Sequence, residues 1–201
     1  ASGNTAERTV TVQVEAADFP YAGHVWLPPS AAQQMVDRSG YLEARARRFE
    51  AYAVAIDEQL WSGHFLQPAR GRISSEYGVY RTYSTGDESY HTAIDIANEP
   101  GTPIYAAARG RVTLSELMHT FGNAVVIGHG YGVSTSYSHL LERHVELGEV
   151  VERGQLLGLM GTTGVSTGPH LHWGMIVQDI SVDPSQWQGW AFEYDPEMPF
   201  Y

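Results

Sequence analysis

Two histidines separated by a single residue, His170 and His172, are the first feature of this sequence that could carry chemistry. Side chains of a β-strand alternate between its two faces, so both imidazoles would lie on the same face of a strand. Glycines at positions 161, 164 and 168 predict a turn immediately before them. Two imidazoles on one face after such a turn indicate a functional site, with metal binding and proton transfer as the chemistry that histidine supports.

A second candidate pair, His91 and Asp95, lies four residues apart in a segment rich in β-branched side chains. On a strand, positions 91, 93 and 95 share one face, while Ile94 and Ile96 point into the core. Taken alone the pair is weak evidence, because a histidine and an aspartate also form ordinary surface ion pairs.

Together the two pairs match the composition of a catalytic metal site. Three protein ligands of nitrogen and oxygen type, with a fourth position open, are typical of catalytic zinc, whereas structural zinc has four ligands and usually sulfur. His91, Asp95 and one of His170 and His172 would supply that set, and spacing alone leaves open which of the two it is. The other imidazole would stand beside the metal, able to move a proton or to stabilise an oxyanion.

One further histidine, His139, ends a hydroxyl-rich β-like run and is a candidate for the wall of the same cleft. The other histidines have no carboxylate or histidine at ligand spacing, and we interpret them as surface or structural residues. His129, between two glycines, is expected in a turn between two strands. This interpretation covers His24, His64, His119, His129 and His144.

Composition excludes several other kinds of chemistry. The 201 residues include no cysteine, and all twelve basic residues are arginine, so thiolate nucleophiles, disulfides and Schiff-base lysines are excluded. A net charge of −11 argues against a nucleic-acid partner. No apolar run approaches the roughly 18 residues that cross a membrane, and no leader-like pattern follows Ala1, so we expect neither a transmembrane segment nor a signal peptide in this chain.

The elements that must position these side chains fall into three predicted segments: residues 1–62, 63–186 and 187–201. The first begins with a predicted strand at 9–15, then a turn at 19–23 and a short strand at 24–27. Ser30 and Gln33 have the form of a capping box, which predicts a helix start. Beyond an interruption at Gly40, an amphipathic helix of about five turns is expected, with its apolar side listed as Leu42, Ala46, Phe49, Ala53, Ile56 and Leu60 and with Arg48 on its polar side.

From residue 63 onward the pattern predicts a β domain. Short β-like runs occur at 104–107, 111–114, 124–127 and 132–137, and glycine turn signals recur about every ten residues. Turn signals at this spacing are typical of short antiparallel strands. The last segment, 187–201, is aromatic and proline-rich, and we expect it on the surface of the domain without a role that its residues identify.

The sequence that carries these residues resembles a known family, the zinc metallopeptidases of the lysostaphin and LytM type (family M23), which cut bacterial cell-wall peptides. The resemblance covers about residues 68–187 and consists of several landmarks in the same order. These are the segments 91–97, 101–106, 122–130, 137–140 and 164–172. The resemblance implies a mainly β, lysostaphin-like antiparallel domain, here with an N-terminal strand-and-helix appendage.

The resemblance also implies roles for the candidate residues. His91, Asp95 and His172 look like the ligands of Zn²⁺, and His139 and His170 look like the two catalytic histidines. Two positions depart from the family pattern: Gly128 stands where relatives often have Asp, and Gly174 where they often have Glu, but neither is a ligand. Some relatives use a tyrosine to stabilise the oxyanion; the candidates here are Tyr80, Tyr83 and Tyr90, among which the sequence does not choose.

The expected function is therefore hydrolysis of peptide bonds in peptidoglycan stems or cross-bridges, in the periplasm or at the cell wall, with the oligomeric state left open. One alternative is a non-catalytic relative that binds and activates a cell-wall amidase, but such proteins usually lack ligands or catalytic histidines. Another is a carrier or phosphotransfer domain with a similar glycine-rich hairpin pattern. That domain needs a phosphorylatable histidine and has no use for Asp95.

Overall fold

The structure, a computed structural model, describes residues 18–189. The strand predicted at 9–15 and the tail from residue 190 onward lie outside the described residues. In chain order the elements are β1 (Tyr21–Val25), α1 (Pro29–Val36), α2 (Arg38–Tyr52), β2 (Arg72–Ser75), β3 (Tyr80–Tyr83), β4 (Glu88–Tyr90), β5 (Ile94–Ala97), β6 (Pro103–Tyr105), β7 (Gly110–Met118), β8 (Gly122–Gly130), β9 (Val133–Arg143), β10 (Val150–Val151), β11 (Leu156–Met160), β12 (His170–Val177), β13 (Ile180–Val182) and α3 (Ser185–Gln188).

A ten-stranded antiparallel sheet forms the centre of the molecule, as the pattern of short β-like runs separated by glycine turns predicts. Its main path runs β10-β7-β8-β9-β12-β5-β2, with β6, β11 and β13 attached beside it. Strand β12 lies between β5 and β9 and pairs with both. The predicted predominantly β domain of antiparallel strands is confirmed, and the strand that carries His170 and His172 occupies an interior position in the sheet.

Most of the core lies on one face of this sheet. Large side chains without solvent exposure, Trp173 on β12 and Tyr137 on β9 among them, pack there with Ile96 of β5. Leu171 and Trp173 point into this core, so the alternation of a strand directs His170 and His172 to the opposite face. Burial of one face therefore decides where the two histidines point.

The helices cover part of that opposite face. Ala44 and Ala51, seven residues apart on α2, pack against Leu114 of β7 and Val126 of β8 in a second, smaller apolar cluster. The small side chains of these two alanines allow the helix to lie close to the sheet where they contact it. Among the described residues, no helix is long and apolar enough to cross a membrane.

Three predictions for the N-terminal helices are wrong. The predicted capping box is absent, because α1 begins at Pro29 with Pro28 as its N-cap and has no side-chain cap. The break between the helices is at Asp37, whose carboxylate accepts from Gly40 N and caps α2. The long helix ends at Tyr52 rather than near residue 60.

The predicted apolar stripe of α2 also faces the wrong way. Leu42 and Phe49 are exposed, while Ala44 and Ala51 are buried. Beyond the helix, Ile56 O accepts from Tyr131 N, and Leu60 N donates to His129 O. This segment hydrogen-bonds along the end of β8, and these tertiary bonds outweigh the helical periodicity of its sequence.

A separate three-stranded sheet, in the order β1-β3-β4, lies beside the segment that leads to His91. Strand β1 begins at Tyr21, so the predicted turn at 19–23 and strand at 24–27 are placed about three residues too late. Gly23 has a φ of +98°, and the register with β3 shifts between Tyr21 and His24. The glycine that resembled a turn signal marks an irregularity inside a strand.

Candidate metal centre

Three neighbouring segments bring His91, Asp95 and His172 together. Asp95 of β5 is the register partner of His172 on β12, so the antiparallel pairing sets the carboxylate beside the imidazole. His91 lies three residues before β5 and is held there by a backbone bond from its N–H to Val79 O. His91 and Asp95 are buried, and His172 is partly buried.

The ligand atoms of these three residues converge on one point. His91 Nε2 lies 3.1 Å from His172 Nδ1 and 3.0 Å from Asp95 Oδ1, and His172 Nδ1 lies 2.9 Å from the same oxygen. His91 Nδ1 donates to Glu76 O at 2.9 Å, since a carbonyl can only accept, and this bond leaves Nε2 as the ring nitrogen that faces the cluster. Two imidazole nitrogens and a carboxylate oxygen within 4.8 Å of one another form a donor set that suits a transition-metal ion.

An arginine holds the carboxylate oxygen of Asp95 that faces away from the cluster. Arg81 Nη2 donates to Asp95 Oδ2 at 3.1 Å and to Ser75 Oγ at 2.6 Å, and both members of the ion pair are almost fully buried. Oδ1 is thereby left to the cluster. Burial alone would raise the pKa of Asp95, but hydrogen bonding with His172 and then His91 outweighs it and holds that pKa well below 3.8.

His172 is neutral at physiological pH. Burial lowers the pKa of its imidazole to about 4, although the hydrogen bond to Asp95 acts in the opposite direction. A neutral imidazole is the form that can bind a metal ion. The cluster therefore has the protonation states that metal binding requires: an ionised carboxylate and a neutral imidazole.

His170 stands beside the cluster on the same face of β12. Its Nδ1 donates to Gly168 O at 2.8 Å, which leaves the lone pair on Nε2, and Nε2 lies 3.8 Å from Asp95 Oδ1. Ser166 Oγ, 3.3 Å from Nδ1, further restrains the ring. The one-residue spacing on a strand thus sets one histidine in the cluster and the other next to it.

His139 reaches the same place from β9, by way of a backbone irregularity. The pairing of β8 with β9 shifts between Asn123 and Val125, and His139 has a φ of +66°, in the left-handed region. Such a bulge re-aims a side chain. The His139 ring centroid lies 4.8 Å from that of His170 and 5.8 Å from that of His172.

The His139 ring is oriented in the same way as that of His170. Its Nδ1 donates to Thr163 O at 2.8 Å, so the lone pair of neutral His139 is on Nε2. Burial and then the neighbouring histidines lower the pKa of His139 to about 3. Both flanking imidazoles can therefore accept a proton on Nε2.

The structure brings all five candidate residues together and leaves the remaining histidines outside the cluster. His129 is on β8 rather than in a turn, fully buried, with Nδ1 donating to Arg109 O and Nε2 bonded to Thr135. None of the described hydrogen bonds joins Tyr80, Tyr83 or Tyr90 to the cluster. The Tyr80 hydroxyl donates instead to Glu88, and this bond raises the pKa of Tyr80 to about 12.

Sequence reasoning missed two arginines near the cluster. Arg81 lies on β3 in the separate small sheet, and no spacing rule connects it with Asp95. Arg48 was expected on the polar side of an amphipathic helix, but its Nη2 donates to Ser136 Oγ on β9 at 2.9 Å. The signal that could have found Arg48 is its spacing of four from Ala44, which sets it on the buried side of α2.

Comparison with known proteins gives consistent matches. Residues 89–184 match the model of Peptidase family M23. The peptidoglycan DD-endopeptidase ShyC of Vibrio cholerae serotype O1 is 40% identical over 114 residues, which is 56% of this chain and 26% of that relative. The chain thus spans about a quarter of the length of this curated relative.

Two solved structures are similar in both sequence and fold. A putative M23 peptidase from Pseudomonas aeruginosa has a TM-score of 0.67 and 32% identity, over 78% of this chain and 63% of that one. LytU has a TM-score of 0.51 and 30% identity, over 58% of this chain and 83% of that one. Residues 89–184, the part of the chain that matches the family model, include all five residues of the histidine cluster.

Proposed function

The chain belongs to Peptidase family M23, and from that premise we propose that it is a zinc-dependent endopeptidase that hydrolyses peptide bonds in peptidoglycan stems or cross-bridges. The observation that carries the proposal is the convergence of His91 Nε2, Asp95 Oδ1 and His172 Nδ1, with two further imidazoles beside them. The name of ShyC, a peptidoglycan DD-endopeptidase, supports the choice of substrate.

In this proposal His91, Asp95 and His172 hold the zinc ion. Ligand atoms at 2.0–2.1 Å around a tetrahedral zinc ion lie about 3.3 Å from one another, and the three separations of 2.9–3.1 Å are close to that value. Three ligands of nitrogen and oxygen type leave one position open. A bound zinc ion supplies Lewis acidity, which polarises a peptide carbonyl and lowers the pKa of a coordinated water molecule.

His139 and His170 are the proposed catalytic histidines. Each is held by a bond from Nδ1 to a backbone carbonyl, so each presents Nε2 to the open side of the cluster. In that orientation an imidazole can take a proton from an attacking water molecule and return it to the leaving amine. Once protonated, it can also stabilise negative charge on the carbonyl oxygen. We assign these two tasks to the pair jointly.

The site is proposed to act in the periplasm or at the cell wall, where peptidoglycan is found. A non-catalytic role as an amidase activator is not favoured, because each of the five proposed ligand and catalytic positions holds a histidine or an aspartate. A phosphotransfer role would not explain why Asp95 is held by the buried pair with Arg81, or why three donor atoms converge.

Digestion of purified peptidoglycan tests the proposal. We expect the zinc-loaded protein to release fragments whose masses identify a cut peptide bond, the zinc-free protein to be inactive, and added zinc to restore activity. Cleavage unaffected by removal of the metal would contradict the mechanism. Products with intact peptides but cleaved glycan or amide linkages to the sugar would contradict the assigned bond class.

A further inference from the structure

We propose that Arg48 forms a carboxylate-binding subsite beside the metal cluster and selects peptides that carry a free carboxylate close to the scissile bond. The inference rests on the proposed function, because it names the kind of peptide that the same cleft takes. The proposed reaction makes no use of this arginine.

The position of Arg48 follows from the ladder between β9 and β12. Ser138 pairs with His172, and the next pair on the same face is Ser136 with Gly174. Arg48 Nη2 donates to Ser136 Oγ at 2.9 Å, so the guanidinium lies over this next pair. Two residues along a strand span about 7 Å, which is the distance from the cluster to the proposed subsite along the sheet.

The guanidinium is held in place before any ligand arrives. Its Nε donates to Tyr52 Oη at 2.8 Å, one helical turn further along α2, and its Cζ lies 3.9 Å from the centre of the Phe121 ring. Gly174 provides the space, because a Cβ at that position would lie 2.7 Å from Ser136 Oγ. A cation fixed in this way loses little conformational freedom on binding an anion.

The charge of Arg48 is not neutralised within the described part of the chain. Arg47, Arg81 and Arg109 each form an ion pair with a carboxylate, whereas the described ion pairs include none to Arg48. Its Nη1 makes none of the described hydrogen bonds and is not among the buried polar atoms without a partner, so Nη1 reaches solvent. Donors therefore remain available to a ligand in the cleft.

The chemistry of the guanidinium identifies the ligand class. Its planar, forked N–H groups match a carboxylate, to which arginine can donate two parallel hydrogen bonds. An extended peptide rises about 3.3 Å per residue, so a span of about 7 Å corresponds to a carboxylate one or two residues from the scissile bond. Such a substrate is an acidic peptide bound along the sheet face.

A comparison of two matched substrates tests the inference. A cross-linked muropeptide dimer and the same dimer with its free carboxylates converted to amides are compared with the wild type and with Arg48→Gln. Initial rates give kcat/KM for the zinc-loaded proteins, and calorimetry gives the affinity of the zinc-free proteins for both dimers. Arg45→Gln is the control, since Arg45 lies over Phe49 on the exposed side of the same helix.

We expect the wild type to prefer the acidic dimer by about 10- to 100-fold, the range of a charge-assisted hydrogen bond. Arg48→Gln should remove this preference by lowering kcat/KM and affinity for the acidic dimer alone. Arg45→Gln should retain the preference. Arg48→Lys, which keeps the charge but loses the fork, should show an intermediate preference. If Arg48→Gln is poorly folded, the wild type can still refute the inference by showing no preference, and Arg48→Lys tests whether a preference depends on this residue.

If the wild type has equal kcat/KM and affinity for both dimers, the inference is overturned. A preference for the acidic dimer that survives in Arg48→Gln would also overturn it. If Arg48 only fastens α2 to the sheet, Arg48→Gln would lower the rates on both dimers equally, which also contradicts it. A wild type that cleaves neither dimer would refute the proposed function, and the calorimetric comparison would then still decide for or against the carboxylate subsite.

Discussion

At the scale of single residues, backbone carbonyls orient the proposed site. Glu76 O, Thr163 O and Gly168 O accept from Nδ1 of His91, His139 and His170 respectively. Each bond fixes which ring nitrogen keeps its lone pair, and such outer contacts raise the basicity of the nitrogen that faces inward. The identity of the histidines could be predicted from the sequence, but these acceptors could not, because nothing in the residue types marks a particular backbone carbonyl.

Arg81 gives the first prediction at this scale. Arg81→Gln removes the cation that occupies Asp95 Oδ2, so the carboxylate gains freedom to turn away from the cluster. We expect zinc affinity to fall by about 10- to 100-fold, the usual effect of losing an outer-shell partner. Competition for zinc with a chelator of known affinity measures this change.

Arg109→Gln is the matched control. Arg109 also pairs with a carboxylate, Glu152, but both side chains are largely exposed, at 43% and 68%. Exposed pairs contribute little, so its zinc affinity should equal that of the wild type. An Arg81→Gln protein with unchanged affinity would show that Asp95 is held without the arginine.

At the scale of elements, a bulge in β9 and the turn after β11 together position His139. Thr163 Oγ1 donates to Leu140 O and accepts from Asn123 N, while Thr163 O accepts from His139 Nδ1. Gly122 has a φ of +63°, and a Cβ there would collide with the backbone and hydroxyl of Thr163. The turn can hold His139 only because residue 122 has no side chain.

Gly122→Ala should therefore damage both stability and activity. We expect a loss of about 2–4 kcal/mol in the free energy of unfolding, from the left-handed φ together with overpacking, and a fall in kcat/KM of at least about tenfold as His139 is displaced. Gly148→Ala is the control, since Gly148 has a similar φ of +86° but nothing near its missing Cβ.

Urea unfolding and peptidoglycan digestion of both glycine variants make the comparison. Gly148→Ala should lose only about 1 kcal/mol, the cost of the backbone conformation, and keep its activity. Equal losses in the two variants would mean that contact with Thr163 contributes nothing to the site.

Some features of the helices and strands could be predicted from the sequence, and others could not. The β domain could be predicted, because alternation and glycine turns are local signals that the antiparallel sheet preserves. The face and length of α2 could not, because Leu42 and Phe49 suggested a stripe that tertiary packing does not use. Alanines at 44 and 51 give closer approach to the sheet, and that advantage depends on the partner surface rather than on the helix itself.

At the scale of the whole molecule, buried neutral histidines connect stability with pH. Burial lowers the pKa of His129 to about 4 from its ordinary 6.5, so between these values the unfolded chain binds a proton that the folded chain does not. The titration of His129 therefore lowers the free energy of unfolding as the pH drops from 6.5 towards 4. His139 and His172, whose pKa values are also lowered, act in the same direction.

His129→Gln isolates the contribution of this residue away from the proposed metal site. Between pH 7 and pH 5 the wild type should lose about 2 kcal/mol more unfolding free energy than this variant, the amount that the lowered pKa implies. Urea unfolding at the two pH values measures the difference. If the unfolding free energy of His129→Gln depends on pH as strongly as that of the wild type, the assignment is contradicted.

The division of work between two histidines on β12 is the central claim, and zinc content with peptide cleavage in His172→Ala and His170→Ala tests it most directly. We predict about one zinc ion per chain in the wild type and in His170→Ala, with no cleavage by His170→Ala, and loss of both zinc and cleavage in His172→Ala. Stoichiometric zinc in His172→Ala, or full cleavage by His170→Ala, would contradict it.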